Sequence, residues 1–179
     1  AMAATLKEVL LRESEAALQR AQRVAHIGNW TWHIRENRLE WSDEMFRIFG
    51  LDRETFSGDL AMVIGRAIHP DDRAAVEHSN LSVMRDGKPI PLEYRVVWPD
   101  GTERVVWAEA GELVLDEAGD PGVLSGIVQD ITERKRVESA LRDSEQRYRQ
   151  LFETMGQGVV YENADGSLIG ANPAAERIL

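Results

Sequence analysis

The chain contains no cysteine among its 179 residues, which excludes disulfide bonds, thiolate nucleophiles and cysteine-ligated metals. It also lacks any apolar run of the roughly 18–20 residues that a membrane-spanning helix needs, and it shows no signal-peptide pattern. Basic residues are in the minority, since 21 Lys and Arg stand against 31 Asp and Glu and give a net charge of −10. That charge argues against nucleic acid and anionic membrane as partners. We therefore expect a cytoplasmic globular protein.

What the sequence does contain is a strand that leads directly into a helix. An alternating apolar run ends at Asp130, and a charged segment of helical period starts immediately after it. Asp130 or Thr132 can cap the first free N–H groups of that helix. Apolar residues then recur at spacings of four and three, the heptad pattern of a coiled coil. A strand joined rigidly to such a helix indicates a module that transmits a conformational state.

The sequence repeats itself at an offset of 130 residues. Leu11-Arg12-Glu13-Ser14-Glu15 returns as Leu141-Arg142-Asp143-Ser144-Glu145, and Leu11, Leu18 and Ala21 share the heptad register of the later helix. The repeating unit is therefore a helix followed by a globular domain of about 100 residues. The predicted segments are an N-terminal signalling helix over 1–25, a domain over 26–131, a linker helix over 132–155 and the truncated start of a second domain over 156–179.

The domain over 26–131 predicts a mixture of strands and short helices. Alternating apolar residues indicate two strands near its start and three near its end, with short helices between them. Ser42 is the expected N-cap of the first helix and Gly50 its expected end, while His69 is expected to cap a later one. The order ββ, helices, βββ predicts an α+β domain with one antiparallel sheet and helices on one face.

Several short motifs follow one another across residues 28–135. They are Gly28-x-Trp30-x-Trp32, Trp41-Ser42-Asp43-Glu44, Ile48-Phe49-Gly50, His69-Pro70-Asp71-Asp72-Arg73, Glu93-Tyr94-Arg95, Asp100-Gly101-Thr102 and Asp130-Ile131-Thr132-Glu133-Arg134-Lys135. Together they resemble a PAS domain with its PAC segment, of the type with a tryptophan-rich first strand found in bacterial sensor kinases and diguanylate cyclases. From Thr154 onwards the sequence resembles the start of a second PAS domain.

This resemblance implies a five-stranded antiparallel sheet, a helical side that encloses a cavity, and flanking signalling helices. Such modules usually lie upstream of a histidine kinase, a diguanylate cyclase or a similar effector. No part of this chain resembles an effector, and no nucleophile has a partnered base in the sequence, so we do not expect the chain itself to be an enzyme.

Twelve apolar or aromatic side chains are expected to face the interior of the domain, because they recur at strand or helix spacing. They are Trp32, Trp41, Phe46, Phe49, Met62, Ile64, Ile68, Leu81, Met84, Tyr94, Val96 and Val128. Two interpretations stay open. The residues fill a hydrophobic core, or they enclose a cavity for an unidentified small ligand.

Cofactor binding can be tested against residue chemistry. Flavin photoreceptors of the LOV type form an adduct with a cysteine, and the absence of cysteine excludes that photochemistry. Haem needs an axial ligand, usually histidine. His78 lies roughly where haem-binding PAS domains carry theirs, although a surface histidine is the simpler interpretation. The expectation is thus no cofactor, with haem through His78 or flavin as alternatives, and no metal site, because the four histidines lack ligand spacing.

A homodimer is the expected assembly. The apolar heptad positions of both helices form the predicted seam, and Trp30 is expected to cover the open face of the sheet. The seam consists of Leu11, Leu18, Ala21, Trp30, Val137, Leu141, Tyr148 and Leu151. Each helix alone is marginal, since it spans only two to three heptads.

The output is expected to pass through a signal joint formed by Asp130 and Thr132, with Arg104 on the preceding hairpin strand as the partner of Asp130. The sequence therefore predicts a sensory and dimerisation module that relays a ligand- or partner-dependent state through Asp130-Ile131-Thr132 to an effector in the same chain. Two alternatives stay open: a cofactor-binding redox or gas sensor, and a purely structural adaptor that pairs its neighbours.

Overall fold

The computed structural model describes residues 2–88 and 90–178, and the chain divides into two units, Ala1–Thr132 and Glu133–Leu179. The helices of the first unit are α1 (Met2–Val24), α2 (Asp43–Phe49), α3 (Leu60–Ala67) and α4 (Arg73–Asp86). Its strands are β1 (Ile27–His33), β2 (Arg38–Trp41), β3 (Leu92–Val97), β4 (Glu103–Leu115) and β5 (Pro121–Asp130). After it come α5 (Thr132–Thr154), β6 (Val160–Glu162), β7 (Leu168–Ala171) and α6 (Pro173–Glu176).

The five strands of the first unit form one antiparallel sheet in the order β2-β1-β5-β4-β3. This confirms the predicted α+β fold and the predicted order of its elements. The strands β1 and β5 pair along the whole of β1, from Ile27 opposite Gln129 to His33 opposite Val123. The strands β2 and β3 follow each other in sequence yet lie at opposite edges, so α2, α3 and α4 cross one face of the sheet to connect them.

Side-chain alternation along the strands decides which residues meet those helices. Val106 and Val128 are buried on the helical face of β4 and β5, while their neighbours along the strand are more exposed. From the helices, Met45, Phe49 and Val83 pack against this face and are almost completely buried. The hydrophobic core of the first unit therefore lies between the sheet and α2–α4.

Three local predictions about helix ends can be compared with the structure. Gly50 ends α2 in the left-handed conformation with a φ of 62°, as predicted. His69 caps the turn after α3 as predicted, because its Nδ1 accepts a hydrogen bond from the Asp71 N–H at 3.3 Å. The prediction that the Ser42 side chain caps α2 is wrong. Its Oγ accepts from the Asn29 N–H at 3.0 Å instead and so ties the start of α2 to β1.

Asp72 fastens the start of α4 to β3. Its Oδ2 accepts hydrogen bonds from the Arg95 backbone N–H at 2.8 Å and from Arg95 Nε at 2.9 Å, and its Oδ1 accepts from Arg95 Nη2 at 2.9 Å. The bonds from Arg95 hold the pKa of Asp72 below its ordinary value. The acidic residues of the His-Pro-Asp-Asp motif thus connect a helix to an edge strand.

We expect Asp72→Asn to lower the free energy of unfolding at neutral pH. Because the folded pKa of Asp72 is depressed, its stabilisation is present above the unfolded value of 3.8 and is lost as the pH falls through the folded value. Urea unfolding at several pH values measures this effect. The difference between wild type and variant should shrink below pH 3.8, and a difference that stays constant there would contradict the assignment.

Gly28 marks a close approach between β1 and α2. A Cβ at Gly28 would lie 2.7 Å from Met45 Cγ and 2.8 Å from the Met45 backbone nitrogen. We expect Gly28→Ala to destabilise the chain by about 1–3 kcal/mol, because the backbone of α2 must move. Gly65→Ala is the matched control, since nothing lies within 4 Å of its added Cβ and alanine is the better helix residue. Equal melting temperatures for the two variants would refute the packing argument.

Candidate functional site

A cavity of about 90 Å³ lies within the first unit, between the helices and the inner face of the sheet. Seven of the twelve residues predicted to face inwards line it. They are Trp32, Trp41, Phe49, Ile64, Ile68, Tyr94 and Val128. The domain therefore combines the two interpretations that the sequence left open, because a packed hydrophobic core surrounds a residual cavity.

The prediction that Met62, Leu81 and Met84 face inwards is wrong. Their exposed fractions are 42%, 54% and 53%. The helix α4 instead buries Val76, Ser79 and Val83, and α3 buries Val63, Ile64 and Ala67. Contacts outside the helix set the rotation of α4, because Asp72 at its start accepts from the Arg95 N–H of β3 at 2.8 Å and Val76 and Val83 pack into the core.

Phe46 and Val96 do not line the cavity either. Val96 is fully buried in the packed part of the core and forms a bridge to Ile68. Phe46 packs edge-on against Phe56, with ring centroids 5.1 Å apart, and it also contacts Trp41. These two residues support the walls of the site from outside.

Trp30 also departs from its predicted position, which was the open face of the sheet. It shares its strand face with Trp32, packs against the core and lines the cavity. Its ring lies across Gly126 of β5, where an added Cβ would come within 2.5 Å of Trp30 Cζ2. Side chains two residues apart on a strand point to the same face of the sheet, so Trp30 and Trp32 lie on one face.

The sequence also failed to predict several lining residues. Leu39, Met45 and Val83 were recognisable as apolar, but Ser79 and Asn80 of α4 carry no apolar signal. Apolar residues occur on more than one side of α4, so their spacing does not single out the face that carries Ser79 and Asn80.

Polar groups are few in the cavity wall, and two of them have no hydrogen-bond partner. The indole Nε1 of Trp32 and the amide Nδ2 of Asn80 are both buried and unpartnered. The Ser79 hydroxyl is occupied by the Ile90 carbonyl at 2.9 Å. The Tyr94 phenol is a protonated hydrogen-bond donor at neutral pH, and burial raises its pKa further.

Haem and flavin do not fit this cavity. His78 is exposed on α4, and none of the described residues that line the cavity is a histidine, so no axial ligand for haem is at hand. The volume of about 90 Å³ is also far below the roughly 300–1,000 Å³ typical of sites for larger ligands. The cavity is therefore too small for either cofactor.

The second candidate site is the joint at the end of β5. The Asp130 carboxylate oxygen Oδ1 accepts a hydrogen bond from the Thr132 N–H at 2.9 Å and another from the Thr132 hydroxyl. The Thr132 hydroxyl oxygen accepts from the Val105 N–H at 2.9 Å, and the Ile131 N–H donates to the Val105 carbonyl, also at 2.9 Å. Thr132 and Ile131 are buried. The first residue of α5 is thus bonded into the edge of β4.

Arg104 and Trp98 extend this joint towards α2. Arg104 Nη1 lies 3.5 Å from Asp130 Oδ2, and its guanidinium carbon lies 4.8 Å from the centroid of the Trp98 ring. The Trp98 indole N–H donates to the Ile48 carbonyl at 2.9 Å. Arg104, which the sequence named as the partner of Asp130, is therefore in contact with it. Trp98 was missed, because nothing in the sequence relates it to Arg104 or to α2.

The joint also contacts the place where the chain enters the domain. The Asp130 N–H donates to the His26 carbonyl at 3.0 Å, and Gln129 Nε2 donates to the Ala25 carbonyl at 3.3 Å. Ala25 and His26 follow α1 directly. The backbone at the end of β5 is therefore bonded to the residues that connect α1 to β1.

The apolar heptad positions remain on the surface of their helices. Leu11, Leu18 and Ala21 are exposed on α1, as are Val137, Leu141, Tyr148 and Leu151 on α5. The seam thus stays a prediction, with Trp30 removed from it.

Sequence comparison relates the chain to a known family. A family model described as PAS fold matches residues 38–128, and a PAS domain model matches residues 146–179. Among the described residues, no helix has the length and apolar character needed to cross a membrane. In the same part of the chain, no three His, Asp or Glu side chains converge so that they could hold a metal ion.

The curated relatives are sensor and signalling proteins. FixL of Bradyrhizobium diazoefficiens, named as a sensor protein, is 32% identical over 153 residues, which cover 85% of this chain and 30% of FixL. A blue-light-activated histidine kinase of Brucella ovis is 31% identical over 116 residues, or 65% of this chain and 22% of the kinase. DgcE of Escherichia coli, named as a diguanylate cyclase, is 25% identical over 158 residues, covering 88% and 14%. The chain thus spans less than a third of each relative.

A solved structure shares the fold. A sensory box histidine kinase/response regulator from Burkholderia thailandensis is 29% identical and superposes with a TM-score of 0.59. The match covers 75% of this chain and 98% of the solved chain.

Proposed function

Because the chain belongs to the PAS fold family, we propose that its first unit is a sensory module that relays the state of its cavity through the Asp130-Ile131-Thr132 joint into α5. Proteins related to this chain are sensors, histidine kinases and diguanylate cyclases by name. The effector that receives the signal, in this proposal, lies in the same chain and belongs to one of those two enzyme classes.

The observation that carries this proposal is the hydrogen bonding of the joint. A helix that only follows a strand needs one cap, whose side chain is worth about 0.5–2 kcal/mol. Here Asp130 binds Thr132, and Thr132 binds Val105 of the neighbouring strand. A shift of β4 against β5 therefore changes the bonds that hold the first residue of α5.

A continuous set of contacts leads from the cavity to this joint. Met45 and Phe49 of α2 line the cavity, and the carbonyl of Ile48 in the same helix accepts from Trp98. Trp98 stacks under Arg104, and Arg104 faces Asp130. Displacement of α2 by a ligand would therefore move Trp98, and through it the ion pair at the joint. This contiguity supports coupling, which mutation can measure.

The required coupling is small. An interaction of about 1–3 kcal/mol between cavity and joint shifts a two-state output by roughly 5- to 150-fold. The side chains of Arg104 and Asp130 are only 29% and 17% exposed, so salt screens their attraction less than it screens that of a surface pair.

We expect Asp130→Asn, Arg104→Gln and Trp98→Phe to change the output of the longer protein that carries this chain by several-fold at nearly unchanged domain melting. Asp130→Asn and Arg104→Gln each remove a charge and Trp98→Phe removes the indole donor, while the fully buried core residues stay unchanged. Output is measured as autophosphorylation or as cyclic diguanylate synthesis, according to the effector, together with the melting temperature.

Asp120→Asn is the matched control for these variants. Asp120 lies in the turn between β4 and β5, and its side chain is 74% exposed. The longer protein that carries Asp120→Asn should give the same output as wild type. If Asp130→Asn lowers the melting temperature and leaves output unchanged, Asp130 is only a helix cap and the domain is a structural adaptor, the alternative that the exposed heptad stripes favour.

The exposed heptad positions provide a test of assembly. We expect the chain to form a homodimer through its helices and Leu141→Glu to weaken it by at least about tenfold, because each buried leucine contributes roughly 1.5–3 kcal/mol. Leu141 is 60% exposed in the single chain, which leaves it free to pack against a second copy. Light scattering over a concentration series measures the dimer. Gln146→Glu, an exposed position of α5 outside the heptad pattern, is the control, and a wild-type monomer at tens of micromolar would refute the proposal.

A further inference from the structure

We propose that the cavity binds a small uncharged carbonyl compound, whose oxygen accepts hydrogen bonds from Trp32 and Asn80 and whose apolar body fills the remaining space. This inference rests on the proposed sensory function and names the ligand class for the same cavity. Three properties of the cavity support it: the unpartnered donors in its wall, the charge of its lining residues and its volume.

The donors come first. Trp32 is only 6% exposed, it lines the cavity, and its indole N–H has no hydrogen-bond partner. An indole N–H can only donate, so the group that satisfies it must be an acceptor. The amide Nδ2 of Asn80, from the opposite wall on α4, is a second buried donor without a partner. Buried donors without partners are rare in folded proteins, and two in one cavity indicate an acceptor between sheet and helix.

Other polar groups of the wall agree with this assignment. The Ser79 hydroxyl already donates to the Ile90 carbonyl, so it does not compete for a ligand oxygen. The Tyr94 phenol, which lines the cavity, can add a third donor. The wall therefore offers donors, whereas an acceptor-free hydrocarbon would leave them all unsatisfied.

The charge of the wall excludes ions as ligands. Among the described residues that line the cavity there is no Lys, Arg or His, and the one charged residue is Glu109, which is exposed. A carboxylate or phosphate would enter without a cation to neutralise it. A cationic ligand would meet the positive ends of the N–H groups of Trp32 and Asn80. A neutral acceptor avoids both penalties.

The size of the cavity limits the ligand. A cavity needs about 10–15 Å³ to hold one water and about 150 Å³ of dry cavity holds benzene, so about 90 Å³ admits at most one small ring. A six-membered ring bearing one carbonyl oxygen has that size. Trp30, Trp32 and Trp41 supply flat apolar surfaces on which such a ring can pack.

The test is a titration of the whole chain, labelled with ¹⁵N, against three probes of similar shape. Cyclohexanone carries the acceptor, methylcyclohexane lacks it, and cyclohexanecarboxylate adds a negative charge. Cyclohexanone should shift the indole N–H resonance of Trp32 saturably. Methylcyclohexane should bind at least about tenfold more weakly, because a wall of buried donors rejects a ligand without the acceptor. Cyclohexanecarboxylate should not bind.

Two variants separate the donors from the shape of the cavity. Asn80→Leu keeps the volume of the side chain and removes the donor, and Trp32→Phe removes the indole N–H. Each should weaken cyclohexanone at least about tenfold and leave methylcyclohexane unchanged or tighter. Trp107→Phe is the control, since Trp107 alternates with buried Val106 along β4 and does not line the cavity. Asn80→Leu alone decides the matter if Trp32→Phe does not fold.

Three outcomes would overturn the proposal. Equal binding of cyclohexanone and methylcyclohexane would show an apolar site, binding of the carboxylate would show an anion site, and the absence of binding with a water bound to the Trp32 indole would show a hydrated cavity. The joint is tested independently by the variants of Asp130. If cyclohexanone does not bind as expected but the Asp130 variant changes the output, the sensory function stands and only the ligand class is wrong. If cyclohexanone binds as expected but the Asp130 variant leaves the output unchanged, the domain binds a ligand without relaying it through the joint.

Discussion

Antiparallel pairing between β1 and β5 governs the rest of the first unit. These are the first and last strands of the sheet in sequence, and their pairing brings Ile27 opposite Gln129. Everything between them, including three helices and three strands, must therefore form a closed excursion over one face of the sheet. The pairing also bonds His26, just after α1, to Asp130, just before α5. The incoming and outgoing connections of the domain thus meet at one end of one strand pair.

The same pairing creates the conditions for a cavity. Trp30 lies across Gly126 on the neighbouring strand, and Met45 of α2 lies against Gly28. Large side chains against glycines hold the sheet and α2 close at one end. Between Trp32 of the sheet and Asn80 of α4, side chains do not fill the space, and the cavity remains. Close packing in most of the core makes this gap a shaped site, because the surrounding residues cannot collapse into it.

The joint and the cavity are then linked by short-range contacts. The helix α2 contributes wall residues on one side and a carbonyl for Trp98 at its end. Arg104 stacks on Trp98 and faces Asp130, so one guanidinium touches both the helix-bound tryptophan and the carboxylate that holds Thr132. In the proposed function, a displacement of α2 reaches the joint along these contacts. In the proposed dimer, the exposed heptad positions of α1 and those of α5 each pack against the same helix of a second copy.

The sequence by itself determined the elements, and particular residues show why. Period-two alternation identified the strands, Gly50 marked the end of α2, and the charged run after Asp130 marked the start of α5, because these signals are local backbone and solvation preferences. The sequence also predicted Asp130 and Thr132, from the motif at the strand–helix junction. It predicted Arg104 from its position on the strand that precedes β5 in the hairpin.

Only the tertiary structure decided the rotation of the short helices and the composition of the cavity wall. Leu81 and Met84 are more apolar than Ser79 and Asn80, yet α4 turns the polar pair inwards and the apolar pair outwards. The sequence of α4 by itself only weakly favours one face of the helix for burial. Burial of Val76 and Val83 in the core sets which face of α4 points inwards, and that core exists only once the helices have folded over the sheet.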